Sequence, residues 1–190
     1  MRPNSSGLMR ELYFIRHGAY EKNMGADKSR PGWGKVVYPL NADGKQQMHR
    51  VAEVIRGNCP SAKYRLMTSL DDTAIESGLI IKKDLRIRTM ERQAEVQCYW
   101  HLEVLAAYLT PKTDVFVIVG HGDDIEEFAK SYWTKLTGQA AKPFECIKHG
   151  NGIRFLIEPK QFEYIRQPEA TAAKTIPEAA AGSATHRPIG

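Results

Sequence analysis

The sequence predicts a three-layer α/β/α sandwich with a mostly parallel sheet, formed by one domain over residues 11–160. Two runs carry that expectation, Leu12-Tyr13-Phe14-Ile15 and Val115-Phe116-Val117-Ile118-Val119. Neither alternates between apolar and polar, so both read as parallel strands covered on two faces. Segments with apolar residues at helical spacing lie between and after them and supply the covering layers. Each run also ends on a histidine beside a glycine, Arg16-His17-Gly18 and Gly120-His121-Gly122. Open α/β folds form their ligand crevice at the carboxyl ends of parallel strands. Both imidazoles are therefore expected in one crevice.

Taken in order, residues 1–10 read as a flexible leader, and the first strand ends in the tight turn that Gly18 permits. Residues 19–40 contain Gly25, Pro31, Gly32, Gly34 and Pro39. They predict a long loop without secondary structure of its own, placed directly after His17 to wall or cover the crevice. Asn41 is the predicted N-cap of a helix whose Met48, Val51, Ala52 and Ile55 share one face, with Gly57 and Pro60 ending it. His49 lies off that face and reads as a surface residue. Residues 63–68 form the second predicted strand. Asp71 and Asp72 follow as acids at a helix start, where carboxylates cap free N–H groups and suit the helix dipole.

Residues 84–90 read as irregular. Residues 91–109 carry a helical stripe that includes Ala94, Cys98, His101, Leu102 and Leu105, closed by Thr110-Pro111. After the strand that ends at His121, Asp123 and Asp124 open a helix with Ile125, Phe128, Ala129, Tyr132 and Leu136 on one face. Residues 144–148 and 152–157 read as the last two strands, joined by a turn at His149-Gly150-Asn151. Residues 161–190, rich in Ala, Pro, Thr and Glu from Gln167 onward, read as a disordered tail.

Composition narrows the function classes. The 190 residues are 42% hydrophobic, enough for one sizeable core, and the formal charge is +5. That balance suits an anionic substrate. The cations are dispersed, without the Lys/Arg block of a nucleic-acid footprint, so no nucleic-acid partner is expected. Cys59, Cys98 and Cys146 stand far apart with no C-x-x-C pairing. With no signal-like apolar stretch at the start, they point to reduced thiols in a cytoplasmic protein. No apolar run approaches the roughly 20 residues that span a bilayer.

The two strand–histidine units, in this order, resemble the histidine phosphatase superfamily, which includes the cofactor-dependent phosphoglycerate mutases and the bacterial phosphohistidine phosphatases. Leu40-Asn41-Ala42-Asp43-Gly44-Lys45-Gln46-Gln47 is similar to the Leu-Thr-x-x-Gly-x-x-Gln segment that opens that family's first helix. The resemblance implies hydrolysis of phosphomonoesters or of protein phosphohistidine, without a cofactor. The partner would be a phosphorylated small molecule or a phosphoprotein. His17 would attack phosphorus and become phosphohistidine. Arg16 would hold two phosphoryl oxygens and a protonated His121 a third. Gly18, Asn23 and Gly122 would complete the substrate-binding set. The family's general acid has no clear counterpart, and Glu91 is the nearest carboxylate.

One departure bears on activity. The family's second phosphate-binding arginine is replaced here, on the simplest alignment, by Asp72, and a carboxylate cannot donate to phosphate. Arg86 and Arg88, in the next irregular segment, are cations that could substitute. A site without a general acid suits phosphohistidine or activated esters, since a protonated phosphoramidate leaves as neutral imidazole. Two rival readings stand beside the phosphatase. One is a pseudophosphatase that kept the crevice as a phospho-ligand or protein-binding module. The other is a metal site from His17, His121 and Asp123, which has suitable ligand types but sets Arg16 against a cation.

Overall fold

The computed structural model describes residues 9–21, 23–24, 36–92, 113–140 and 144–168. Its elements are β1 (Glu11–Arg16), β2 (Asn23–Met24), β3 (Val36–Val37), α1 (Ala42–Asn58), β4 (Tyr64–Thr68) and α2 (Asp72–Asp84). They continue with β5 (Met90–Arg92), β6 (Val115–Gly120), α3 (Gly122–Thr137), β7 (Gly152–Leu156) and β8 (Gln161–Ile165). Six strands make one sheet in the order β5-β4-β6-β1-β7-β8. The first four are mutually parallel, and β7 and β8 run antiparallel. The predicted sandwich is the observed architecture.

Strand periodicity assigns the two cores. Leu12 and Phe14 of β1 project to one face, where Ile125, Phe128, Ala129 and Tyr132 of α3 cover them. Tyr13 and Ile15 project to the other, against Met48, Val51, Ala52 and Ile55 of α1 and Ala74 and Ile81 of α2. Such a strand has no solvated face, which explains its unbroken apolar run. The helical faces of α1 and α3 are those expected, and Asn41 caps α1 by accepting from the Gly44 N–H at 2.8 Å.

Several expectations are corrected. The 19–40 segment is an excursion with paired arms: Tyr20 bridges Leu40, and Asn23-Met24 pairs with Val36-Val37 in the same antiparallel register. Residues 90–92, expected to lead from an irregular segment into a helix, form the edge strand β5. The rest of that predicted helix, residues 93–109, lies outside the described residues. Residues 144–148 are not a strand, because side chains take up their backbone groups. The Glu145 N–H donates to Tyr164 Oη at 2.9 Å, the Ile147 N–H donates to Glu126 Oε1 at 3.1 Å, and the Ile147 carbonyl accepts from Arg16. The closing hairpin is β7–β8, so the domain extends past the boundary expected at residue 160. The edge strand β8 alternates Gln161 and Glu163 with Phe162 and Tyr164, a pattern hidden by its place next to the Ala- and Pro-rich stretch that follows. Residues 169–190 lie outside the described residues.

Candidate active site

The site forms where the carboxyl ends of β1, β4 and β6 meet the start of β7. Parallel pairing sets Arg16 opposite Gly120, so the residues that follow, His17 and His121, emerge side by side. Their ring centroids are 5.0 Å apart. His17 is 4% exposed and its Nδ1 lies 2.9 Å from the Gly18 carbonyl. A carbonyl only accepts, so Nδ1 carries the proton and Nε2 keeps the lone pair. Burial pushes the ring's pKa down to about 4, with the neighbouring charges of His121, His149 and Arg16 adding to the effect and the Gly18 bond opposing it. At neutral pH His17 is an uncharged imidazole with a fixed tautomer. That is the form a nitrogen nucleophile needs.

Glycine at two positions allows backbone and side chain to approach this closely. A Cβ on Gly18 would lie 2.5 Å from the Gly44 carbonyl oxygen at the start of α1. Its N–H is bonded to Ser77 Oγ at 3.1 Å, and so is turned away from the crevice where the resemblance had set it. A Cβ on Gly122 would lie 2.8 Å from Arg16 Nη1. The arginine passes beneath the first turn of α3, and Gly122 leaves room for it.

Arg16 donates through Nη1 to the Ile147 carbonyl at 2.7 Å and through Nη2 to His149 Nε2 at 3.2 Å. Its Nε is buried and has no hydrogen-bond partner. Because a guanidinium only donates, His149 Nε2 must be the unprotonated nitrogen of that ring. The His149 centroid is 5.2 Å from that of His17. Burial and then the Arg16 charge push its pKa below the ordinary histidine value. His149 read in sequence as a turn residue, and it is a third imidazole of the site. The turn is held against the strand end because the Asn151 carbonyl accepts from the Arg16 N–H at 2.9 Å.

His121 faces a different neighbour. Its Nε2 lies 2.6 Å from Asp71 Oδ2 and 3.2 Å from Ser69 Oγ. Asp71 holds the N-cap position of α2 but makes no side-chain capping bond. The capping expected of Asp71 gives way to a bond with the histidine. Asp72 opens α2 as expected and lines a cavity of about 380 Å³ together with His17, Tyr20, Tyr38, Asp71 and His121. Asp124 stands close by in the first turn of α3; burial raises its carboxyl pKa, His121 lowers it, and Asp123 and Asp71 raise it further. This wall of the crevice is acidic. A second cavity, of about 550 Å³, is lined by Arg16, Lys148, His149 and Arg166 among others. Its wall is basic.

The other predicted residues fall as follows. The backbone of Asn23 lies in β2, and its side chain is outside what the structure describes. Glu91, in β5, bonds Arg65 through both oxygens, at 2.8 and 2.9 Å. Arg86 and Arg88 are exposed beyond the far end of the 13-residue α2, roughly 20 Å along the helix from its crevice end. Neither lies at the crevice. Among the described residues no group of three or more His, Cys, Asp or Glu side chains could hold a metal ion, so His17, His121 and Asp123 do not assemble as ligands. Among the described residues no helix is long and apolar enough to cross a membrane.

With this geometry in hand, solved structures give a consistent match. The protein histidine phosphatase SixA complexed with tungstate superposes with a TM-score of 0.58 at 14% identity, over 82% of this chain and 96% of that one. The fold is that of the histidine phosphatases. A mycobacterial glucosyl-3-phosphoglycerate phosphatase matches with a TM-score of 0.53 at 12% identity, over 82% of this chain and 96% of the other. Phosphoglycerate mutase from Plasmodium falciparum matches at 0.50 and 12%, over 84% and 89%. No protein-family model matches the sequence, and no curated protein matches it.

Proposed function

We propose that the protein is a phosphatase that passes a phosphoryl group through His17. One observation carries the reading: a buried, neutral imidazole whose Nδ1–H is held by the Gly18 carbonyl, beside a second histidine across a solvent-open cavity. The Nε2 lone pair forms the N–P bond as the bond from phosphorus to the leaving group breaks. Arg16 supplies positive charge to the phosphoryl oxygens, the main demand of this chemistry. The proton shared by His121 and Asp71 goes to the leaving group. The same pair then takes a proton from water as that water attacks phosphorus, and the N–P bond returns its electrons to His17. His121 in this role supplies the acid that no residue near Glu91 provides.

With His121 as the acid, the substrates this site suits are phosphomonoesters and protein phosphohistidine. A second reading rests on Asp71, whose carboxylate sits where a phosphoryl oxygen would approach His121 and repels it. On that reading the crevice belongs to a pseudophosphatase that binds a phospho-ligand or a protein and turns over little. Hydrolysis of p-nitrophenyl phosphate by wild type and by His17→Ala separates the two. The phosphatase reading expects a loss of about a thousandfold or more in the variant, and an acid-labile, alkali-stable phosphoenzyme on rapid quenching of the wild type. Equal rates in the two proteins would end it.

A further inference from the structure

A histidine phosphatase site with a carboxylate in place of its second arginine still has to balance a phosphoryl dianion. The acidic wall cannot help. On the basic wall Arg16 Nη2 and His149 Nε2 are hydrogen-bonded at 3.2 Å, and both side chains line a cavity open to solvent. We propose that His149 is the missing phosphate clamp, and that it takes up a proton from solvent when the dianion binds between Arg16, His17 and itself. This rests on the phosphatase reading and gives it a second cation.

The geometry explains why the proton arrives with the ligand. In the free protein Nε2 accepts from a guanidinium, so a proton there would set one cation against another. A dianion that reaches Arg16 from the cavity displaces this bond and takes over the Nη2 donor. The same Nε2 is then released from Arg16 and faces an anion, which favours a proton on it. Its Nε2–H becomes a charge-assisted donor to the second oxygen. The ring is positioned for this. Gly150 holds the turn with φ +70, and its N–H donates to the His17 carbonyl at 3.1 Å, tying the turn to the nucleophile's own backbone. The unpaired Arg16 Nε is a further donor awaiting an acceptor. The other ionisable groups around the ring are Tyr20, with centroids 5.5 Å apart, and Glu145, Lys148 and Arg166, which share the cavity. Glu145, the one carboxylate lining this cavity among the described residues, is paired with Arg166 at 2.6 Å.

Tungstate is the suitable probe, because it stays dianionic near neutral pH and brings no proton change of its own. Calorimetric titration of the full chain at pH 7.5 in two buffers of different ionisation enthalpy gives the protons taken up per anion bound. The expected result is about one proton for the wild type. His149→Gln keeps an acceptor for Arg16 but cannot be charged; it should bind tungstate ten- to a hundredfold more weakly, as expected for the loss of about one charge-assisted bond, with uptake near zero. Wild-type binding without proton uptake overturns the proposal, as does unchanged affinity and uptake in His149→Gln. If the wild type hydrolyses p-nitrophenyl phosphate but shows no uptake, only the role of His149 falls. If it neither binds tungstate nor turns over, the phosphatase reading falls with it.

Discussion

Burial of His17 has a thermodynamic consequence that can be measured apart from any activity. Its folded pKa is about 4 against an ordinary value of 6.5, so in that interval the unfolded chain binds a proton that the folded one refuses. Stability therefore rises with pH through this window. It is fully present above 6.5 and is lost as pH falls towards 4, by roughly 3 kcal/mol if the whole shift is expressed. His149 is lowered in the same direction and steepens the slope. Carboxylates titrate over the same range, so the contribution has to be read as a difference. Urea denaturation of wild type and His17→Asn at pH 7 and pH 4.5 should show the wild type losing more stability on acidification. Parallel losses would mean that the ring is not held neutral in the folded state. The same direction applies to catalysis, where rate falls as His17 is protonated and its lone pair is occupied.

At the level of elements, the site depends on how strand ends and helix starts interlock. The first turn of α3 crosses Arg16 at Gly122, where a methyl group would lie 2.8 Å from Nη1 and 3.1 Å from Cζ. The contact is with the end of a flexible side chain, and alanine is a better helix former than glycine. Gly122→Ala should therefore fold with unchanged or slightly higher stability while pushing the guanidinium out of place. A tenfold or larger drop in kcat/KM for p-nitrophenyl phosphate with an unaltered thermal midpoint is the expected pattern. A matching fall in stability would mean that the helix, and not the arginine, gives way. The same interlocking explains what could be read in advance. β1, β6, α1 and α3 were legible because burial on one or both faces writes an apolar pattern into each of them. β5 was not, being a three-residue edge strand with two charged residues, and β8 was not, because its alternation adjoins a stretch whose composition reads as disordered. Asp71 and His149 were hidden for another reason. An acid at a helix start and a histidine in a turn have ordinary local explanations, and only the tertiary fold brings them to His121 and Arg16.

Across the whole molecule, the sheet separates a functional end from a structural one. The carboxyl ends of β1, β4 and β6 carry the histidines and unpaired donors. The start of β1 carries a closed polar network instead. Glu11, 8% exposed, accepts from Arg154 through both carboxylate oxygens at 2.8 and 2.7 Å, tying β1 to β7. Tyr13 Oη donates to the same carboxylate at 2.6 Å, and Asn58 at the end of α1 donates to that hydroxyl at 3.3 Å. Three elements are fastened there with most donors paired. Removing the carboxylate leaves a largely buried guanidinium whose remaining carboxylate partner among the described residues is the exposed Glu163, at 2.9 Å. Breaking one side of a buried pair is costly because the other charge stays desolvated. Glu11→Ala should lose about 3 kcal/mol of unfolding free energy. Arg16 lies five residues along the strand, roughly 16 Å away, and its partners Ile147 and His149 do not touch the network. Hydrolysis per folded molecule should therefore stay within about twofold of wild type, since sites this far apart with no shared partner act nearly independently. Urea unfolding together with p-nitrophenyl phosphate kinetics below the transition makes the comparison. A large loss of kcat/KM in the folded variant would mean that strain at the start of β1 is transmitted to its end, and that the two ends of the sheet are one mechanical unit.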